Sequence, residues 1–471
     1  MTDGSPARTL QLSPDEMRAL GYRVVDMVVE HVAGLHARPA AGGEPRAELE
    51  RRLREPPPEE GRGWESVLER VRADVMGPMS HVDHPRFFAY VPSPSNFVGA
   101  MADALVAGFN PFAGAWPVAA GPAQVELVTV DWLRQLCGLP EGAGGLFVSG
   151  GSMANLTALA AARHRRFGTG DFSRAVLYCS DQAHSSILRA ARVLGFAPEQ
   201  VRVLPAGAGF RLSPAGLERA AEADRAAGRE PFFAMASAGT TNTGAVDPLA
   251  EIAESCRRAG LWMHVDGAYG APAALTDEGK ALLRGMEEAD SISLDPHKWL
   301  FQPFEAGVVL LRDARALRDA FRMVPEYLRD SDLAAEEVNF RDWGVQLTRS
   351  FRALKLWMTL QVFGLAAVRE AVAWGIRLAE AAEEELRASP AWEIVTPAQL
   401  GIVTFRFAAG DDDLQRRITA AMLRDGWAML STTELAGRAA LRLCTINPRT
   451  TEDDVRETVR RLERIAHAEA G

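Results

Sequence analysis

Only three of the 52 basic residues in this chain are lysines, Lys280, Lys298 and Lys355. Arginine stays protonated in proteins and cannot act as an amine nucleophile, whereas a desolvated lysine can, so amine chemistry has three candidates here. Lys298 stands in the run Asp295-Pro296-His297-Lys298-Trp299, ahead of Leu300 and Phe301. An unpaired ammonium among such neighbours is costly, and burial lowers its pKa, the condition for forming a Schiff base. A second group of residues, Ser149-Gly150-Gly151-Ser152-Met153-Ala154-Asn155, fits an anion. Its glycines let backbone N–H groups approach, Ser152 adds a hydroxyl, and the helix it opens supplies a positive end. It matches neither a dinucleotide fingerprint nor a P-loop, and taken alone it reads equally well as a tight turn. His184, in Asp181-Gln182-Ala183-His184-Ser185-Ser186, reads alone as a cap or core partner. Thr240, in the polar stretch Ser237 to Gly244, reads alone as part of a turn. Asp266, in His264-Val265-Asp266-Gly267-Ala268-Tyr269, is a carboxylate flanked by small residues that admit a close neighbour.

The elements that must position these residues follow from the pattern around them. Short apolar, β-branched runs (Gly145–Val148, Ala175–Cys179, Gln200–Leu204, Phe232–Met235, Leu261–Val265 and Ser291–Leu294) alternate with Ala/Leu-rich helical stretches. That alternation predicts an α/β fold with a mostly parallel sheet covered by helices on both faces. Ligands of such sheets bind outside the carboxyl ends of the strands, where each of the candidate groups falls. A phosphate cradle, an imidazole, a carboxylate and a desolvated lysine at successive strand ends form the set that pyridoxal 5'-phosphate requires. The cradle would take the phosphate and Lys298 the aldehyde carbon as an imine. Asp266 would keep the pyridine nitrogen protonated, and His184 would stack on the ring.

Flanking segments complete the layout. Ser13-Pro14 is an N-cap followed by proline, and the apolar spacing predicts a helix to about Leu35. Proline-rich breaks at Arg38–Pro45 and Glu55–Glu59 precede a second helix over Trp64–Met76. This arm has little core of its own and is expected to pack on the next region or on a second subunit. Beyond about Lys355, helical stretches at Leu354–Leu365 and Arg369–Leu386 and strand-like runs at Ile402–Phe407 and Ala439–Cys444 predict a smaller α+β domain.

Composition narrows the classes. The chain carries 62 acids against 52 bases, a formal net charge of -10, with the signs interleaved, so the basic footprint of a nucleic-acid binder is missing. Four cysteines, Cys137, Cys179, Cys256 and Cys444, form no CxxC pair, which argues against a disulfide framework or zinc knuckle and for a reducing compartment. No secretory signal is visible, and no uninterrupted apolar run reaches the roughly 18 residues that span a bilayer. The expectation is a cytoplasmic protein with no nucleic-acid, membrane or metal partner.

With these residues in place, the chain resembles the group II pyridoxal phosphate-dependent decarboxylases, the family of aromatic L-amino acid decarboxylase. The resemblance runs from the Leu20–Leu35 helix to the last helices. It is carried by His84-Pro85-Arg86-Phe87-Phe88-Ala89-Tyr90 together with the Asp181–Ser186, His264–Tyr269 and Asp295–Trp299 runs. It implies the aspartate aminotransferase-like fold type I with a seven-stranded sheet. The domains would be an N-terminal arm (1–96) lying over the partner, a large coenzyme domain (97–354) and a small C-terminal domain (355–471), in a homodimer with shared active sites. It implies Lys298 as the coenzyme lysine, Asp266 as partner of the pyridine nitrogen, and His184 as the stacking imidazole. Gly151 and Ser152 would bind phosphate, and Thr240, Ala268 and His297 would line the coenzyme. The run Phe321 to Leu328 resembles the family's catalytic loop, with Tyr327 placed to protonate the carbon left by carbon dioxide. Relatives with Phe there, and some with Asn in place of the stacking histidine, are aldehyde synthases, so Tyr327 and His184 favour simple decarboxylation.

The resemblance also implies a substrate class. Matching pocket positions are Val82, Tyr90, Val91, Pro92, Ser93 and Trp116, largely apolar and suited to an aromatic side chain. Thr348, followed by Arg349, occupies a position where a hydroxyl residue accompanies phenolic substrates in plant relatives and glycine accompanies indoles. Tyrosine or DOPA is therefore expected ahead of tryptophan. Val82 and Val91 replace a Trp and a Phe of the animal enzyme. Asp295 replaces its phosphate-binding Asn, and a carboxylate there repels phosphate unless it is turned away or compensated by an arginine. The alternatives are an aldehyde synthase, a decarboxylase of acidic amino acids using an arginine such as Arg86, and a non-catalytic coenzyme-binding module, which would not need the loop tyrosine.

Overall fold

A computed structural model of the chain describes residues 10–323 and 337–471. Seven strands form the large sheet: β1 (Gly144–Val148), β2 (Ala175–Ser180), β3 (Val201–Leu204), β4 (Glu230–Ser237), β5 (Trp262–Asp266), β6 (Ser291–Leu294) and β7 (Gly307–Leu311). Their order is β1-β7-β6-β5-β4-β2-β3. All neighbours are parallel except β7, which runs antiparallel to both β1 and β6. Strands β1, β2, β6 and β7 are buried along nearly their whole length, as strands covered on both faces must be. The sequence pattern located six of the seven. It missed β7, because Gly307-Val308-Val309-Leu310-Leu311 follows β6 without an intervening α-helix and returns antiparallel, outside the strand–helix alternation.

The smaller unit is a four-stranded antiparallel sheet, with β8 (Trp392–Gln399), β9 (Ile402–Phe407), β10 (Ser431–Leu435) and β11 (Arg438–Cys444) in the order β10-β11-β9-β8. Strands β8 and β10 carry polar, half-exposed faces and were not legible as apolar runs. Helices Ala353–Arg387, Asp412–Asp425 and Glu452–Ala470 pack on this sheet around Phe405, Leu441, Val455 and Leu462. The Ala353–Arg387 segment has the length and mean hydropathy (1.2) of a membrane span. Its helix is nevertheless interrupted at Gly364 (φ 78°), and Lys355, Leu356 and Thr359 of its first half are buried.

The N-terminal arm departs from its expected boundary. Helix Pro14–Gly34 has the expected capping box, Ser13 with Glu16, and buries no residue. Residues 84–89, by contrast, are built into this chain's own core. Phe88 is 1% exposed and exchanges backbone hydrogen bonds with Met429 and Cys444, so it belongs with the small unit. Residues Trp64–Met76 are α-helical only to Arg70 and continue as a π-turn from Val71.

Candidate active site

The carboxyl ends of β1, β2, β4, β5 and β6 surround one cavity of about 320 Å³. Gly151, Ser152, His184, Thr240, Asp266, Ala268, His297 and Lys298 all line it, so the structure brings together every residue that the sequence reading assigned to the coenzyme. At its floor β1 turns through Ser149 and Gly150 into helix Gly151–Phe167. A Cβ on Gly151 would stand 2.9 Å from Ala268 Cβ and 3.1 Å from Asp295 Oδ2. One on Gly307 would stand 2.3 Å from the Gly150 backbone. Glycine at both positions keeps the helix N-terminus open and lets β7 close behind it.

Lys298 is not unpaired: its Nζ lies 3.0 Å from Asp295 Oδ2, with His297 Nε2 3.6 Å from the same oxygen. Asp295 is therefore paired with the Lys298 ammonium rather than with an arginine. Its carboxylate faces the cradle, and its second oxygen is buried with no hydrogen-bond partner among the described residues. The Ala306 amide donates to His297 Nδ1 at 3.2 Å, which leaves Nε2 to carry the ring proton beside Asp295. Ser93 Oγ donates to the His297 carbonyl and ties the 90–93 stretch to the site.

Asp266 accepts from Asn155 Nδ2 (3.0 Å), Ser293 Oγ (3.1 Å) and the Ala268 amide (3.1 Å). Burial works against its charge, yet the Lys298 ammonium and the Asn155 hydrogen bond hold it below the ordinary carboxylate value. Burial pushes His184 down, partly offset by Asp266, which favours the neutral imidazole. Asn155, Ser186 and His264 form the layer behind these groups. None of the three had been given a role from sequence, although Asn155 lies one helical turn after Gly151, on the same face.

The expected substrate residues are less gathered. Tyr90 is 61% exposed in the left-handed region (φ 53°), its carbonyl held by Arg442 Nη1 at 2.6 Å. Val82 is half-buried, Val91 packs on the main core, and Pro92 and Ser93 are buried. Trp116, Thr348 and Arg349 do not line the Lys298 cavity. Thr348 and Arg349 border a separate cleft with Asp103, Phe112 and Lys355. Arg349 is buried and donates to Glu126 Oε1 (2.6 Å) and to the Ala113 and Phe147 carbonyls. Its guanidinium is thus consumed in packing, and a substrate contact from it has no geometric basis here. Arg86 is likewise committed, to the Trp427 and His36 carbonyls and to Asp454, and it does not face the cavity. Tyr327 lies outside the described residues.

Comparison with known proteins agrees with this geometry. Residues 47–408 match the pyridoxal-dependent decarboxylase conserved domain. The chain is 45% identical to an aromatic-L-amino-acid decarboxylase of Bacillus atrophaeus, over 98% of this chain and 97% of that protein. It is 31% identical to a phenylacetaldehyde synthase of Arabidopsis thaliana, over 97% of each. The crystal structure of Oryza sativa TDC with PLP and tryptamine superposes with a TM-score of 0.92 at 30% identity, covering 97% of this chain and 99% of that one. This chain belongs to the pyridoxal-dependent decarboxylase family, with the type I fold of its solved members. It is a pyridoxal phosphate-dependent amino acid decarboxylase, a carboxy-lyase.

Proposed function

We propose that this enzyme releases carbon dioxide from an aromatic L-amino acid, with tyrosine or DOPA preferred to tryptophan, as a cytoplasmic homodimer. The observation that carries the reading is the convergence of Lys298, Asp266 and His184 on a cavity whose floor is a glycine-lined helix N-terminus. The 45% identical relative supports the aromatic class, and the commitment of Arg86 to Trp427 and Asp454 removes the cation that an acidic side chain would need.

Bound pyridoxal phosphate supplies an electron sink for the pair released when the carboxylate departs. The donors that suit its phosphate are the backbone N–H groups at Gly151 and the Ser152 hydroxyl. Lys298 supplies the amine that anchors the coenzyme and yields it to the substrate amino group. Asp266, kept anionic by three hydrogen bonds, holds a proton on the ring nitrogen. His184, which lines the cavity, would pack on the coenzyme and limit water there, and Tyr327 would supply the proton to the carbon that loses the carboxylate.

A screen of the twenty amino acids plus DOPA and 5-hydroxytryptophan should show carbon dioxide and amine from tyrosine or DOPA first. Aldehyde, ammonia and peroxide as main products would instead make the chain an aldehyde synthase. Tyr327→Phe should lower amine and raise aldehyde, read by product chromatography. Unchanged partitioning would take the loop tyrosine out of the mechanism.

A further inference from the structure

From the cavity wall inward runs a chain of polar side chains, five of them on four separate elements: Trp262 and His264 on β5, Ser291 on β6, and Asn155 and Ser186 on the helices that follow β1 and β2. The distances are Trp262 Nε1 to Ser291 Oγ 2.8 Å, Ser291 Oγ to His264 Nδ1 2.8 Å, His264 Nε2 to Asn155 Oδ1 2.9 Å, Asn155 Nδ2 to Ser186 Oγ 2.8 Å, and Ser186 Oγ to His184 Nδ1 2.9 Å. The donor in each link follows from one charged group. An ionised Asp266 only accepts, so Asn155 turns its NH₂ toward Asp266 and its Oδ1 toward His264. His264 must then carry its proton on Nε2, and its Nδ1 accepts from Ser291, which in turn accepts from the Trp262 indole. In the other direction the second N–H of Asn155 goes to Ser186 Oγ. The Ser186 O–H is left for His184 Nδ1, which the Ser186 amide also approaches at 3.3 Å. His184 thereby keeps its proton on Nε2.

We infer that His264 is a positioning residue: by anchoring the Asn155 amide from the side opposite Asp266 it holds the Ser186 hydroxyl on His184 Nδ1. The inference rests on the decarboxylase reading for its consequence, because His184 and Asp266 are the two side chains assigned to the coenzyme ring. His264 is fully buried, and burial disfavours its imidazolium form, which would break the order of donors. Without His264, Asn155 Oδ1 is a buried acceptor without a donor. Turning the amide would set its oxygen against Asp266, so Asp266 still orients it; what is lost is its second anchor, and the Ser186 hydroxyl that serves His184 Nδ1 is held less firmly.

The test is nitrogen NMR of the full-length, coenzyme-loaded enzyme labelled at histidine, with His184 assigned from the spectrum of His184→Gln. In the wild type, His184 Nδ1 is expected as an unprotonated acceptor and Nε2 as the protonated nitrogen. His264→Leu should weaken the hydrogen bond accepted by His184 Nδ1, read as a shift of that nitrogen's signal, and lower kcat about 10- to 100-fold, in the range seen for supporting residues of metal sites, with KM little changed. His264→Gln, whose amide N–H can replace the Nε2 proton, should restore both. Should His264→Leu fail to fold, Asn155→Ala removes the bridge from its other side and should shift the His184 Nδ1 signal in the same way. A proton on His184 Nδ1 in the wild type, or an unchanged His184 signal in the variant that folds, overturns the inference. Carbon dioxide release alongside an unmoved His184 overturns the inference alone. The expected tautomer without carbon dioxide release overturns the decarboxylase reading and leaves the order of donors standing.

Discussion

At the scale of single residues, Lys298 has two partners available to it: Asp295 in the coenzyme-free geometry, at 3.0 Å, and the coenzyme when bound. Removing its amine removes the covalent anchor while the cradle stays intact. Lys298→Ala should therefore lose the yellow, borohydride-reducible adduct and its visible absorbance, with activity falling by orders of magnitude. A persistent reducible adduct would move the anchor to another amine, and the remaining lysines are Lys280 and Lys355. Lys355 is 3.2 Å from the Pro303 carbonyl and 2.7 Å from Asp103, outside the cavity.

At the scale of elements, two buried groups join pieces that are distant in sequence. Arg349 and Glu126 form an ion pair that is 1% and 0% exposed, linking the segment before helix Ala353–Arg387 to helix Trp116–Leu136. Breaking such a pair by removing one partner costs about 3–5 kcal/mol, because the other charge is left buried. Arg349→Met should lose that much in urea unfolding, and adding Glu126→Gln should recover part of it. A loss below 1 kcal/mol with unchanged slope would show the pair to be dispensable.

Asp247 joins the loop before helix Pro214–Ala226 to the end of β4, accepting from the Leu212 and Ser237 amides at 2.7 Å each. Burial pushes its carboxyl up to about 6. The folded chain then holds a proton that the unfolded chain, near 3.9, has released. Its stabilising contribution is complete below pH 4 and is lost as pH rises through 6, by about 3 kcal/mol. Melting followed from pH 4 to 7 should show this decline in the wild type and a flatter profile in Asp247→Asn. An identical decline in both would assign it to other groups.

At the scale of the whole molecule, Leu105 (45% exposed), Phe109 (83%) and Val118 (67%) gather around one cleft. Val362 and Phe363 are also exposed, on the helix that packs against Phe97–Phe109. Clustered apolar surface of this kind marks an interface in most soluble proteins. It supports the homodimer proposed above, in which Trp116 and Thr348, remote from Lys298 within one chain, would belong to a shared site. Sedimentation should give twice the 51.0 kDa chain mass, and Phe109→Asp should shift the population toward monomer. A wild-type monomer that is fully active would remove the shared site.

What the sequence determined by itself was local chemistry. Which lysine is available, which turn is open at Gly151, and which polar groups close each parallel strand are set by neighbours a few residues apart, and alternation told the strands from the helices. The tertiary structure decided the pairings that span the chain. Asn155 meets His264 across 109 positions and Arg349 meets Glu126 across 223, and neither carries a periodic mark. The return of β7 and the seating of Phe88 in the small domain depend on sheet order and on core volume. These are properties of the assembled layers, and no window of sequence contains them.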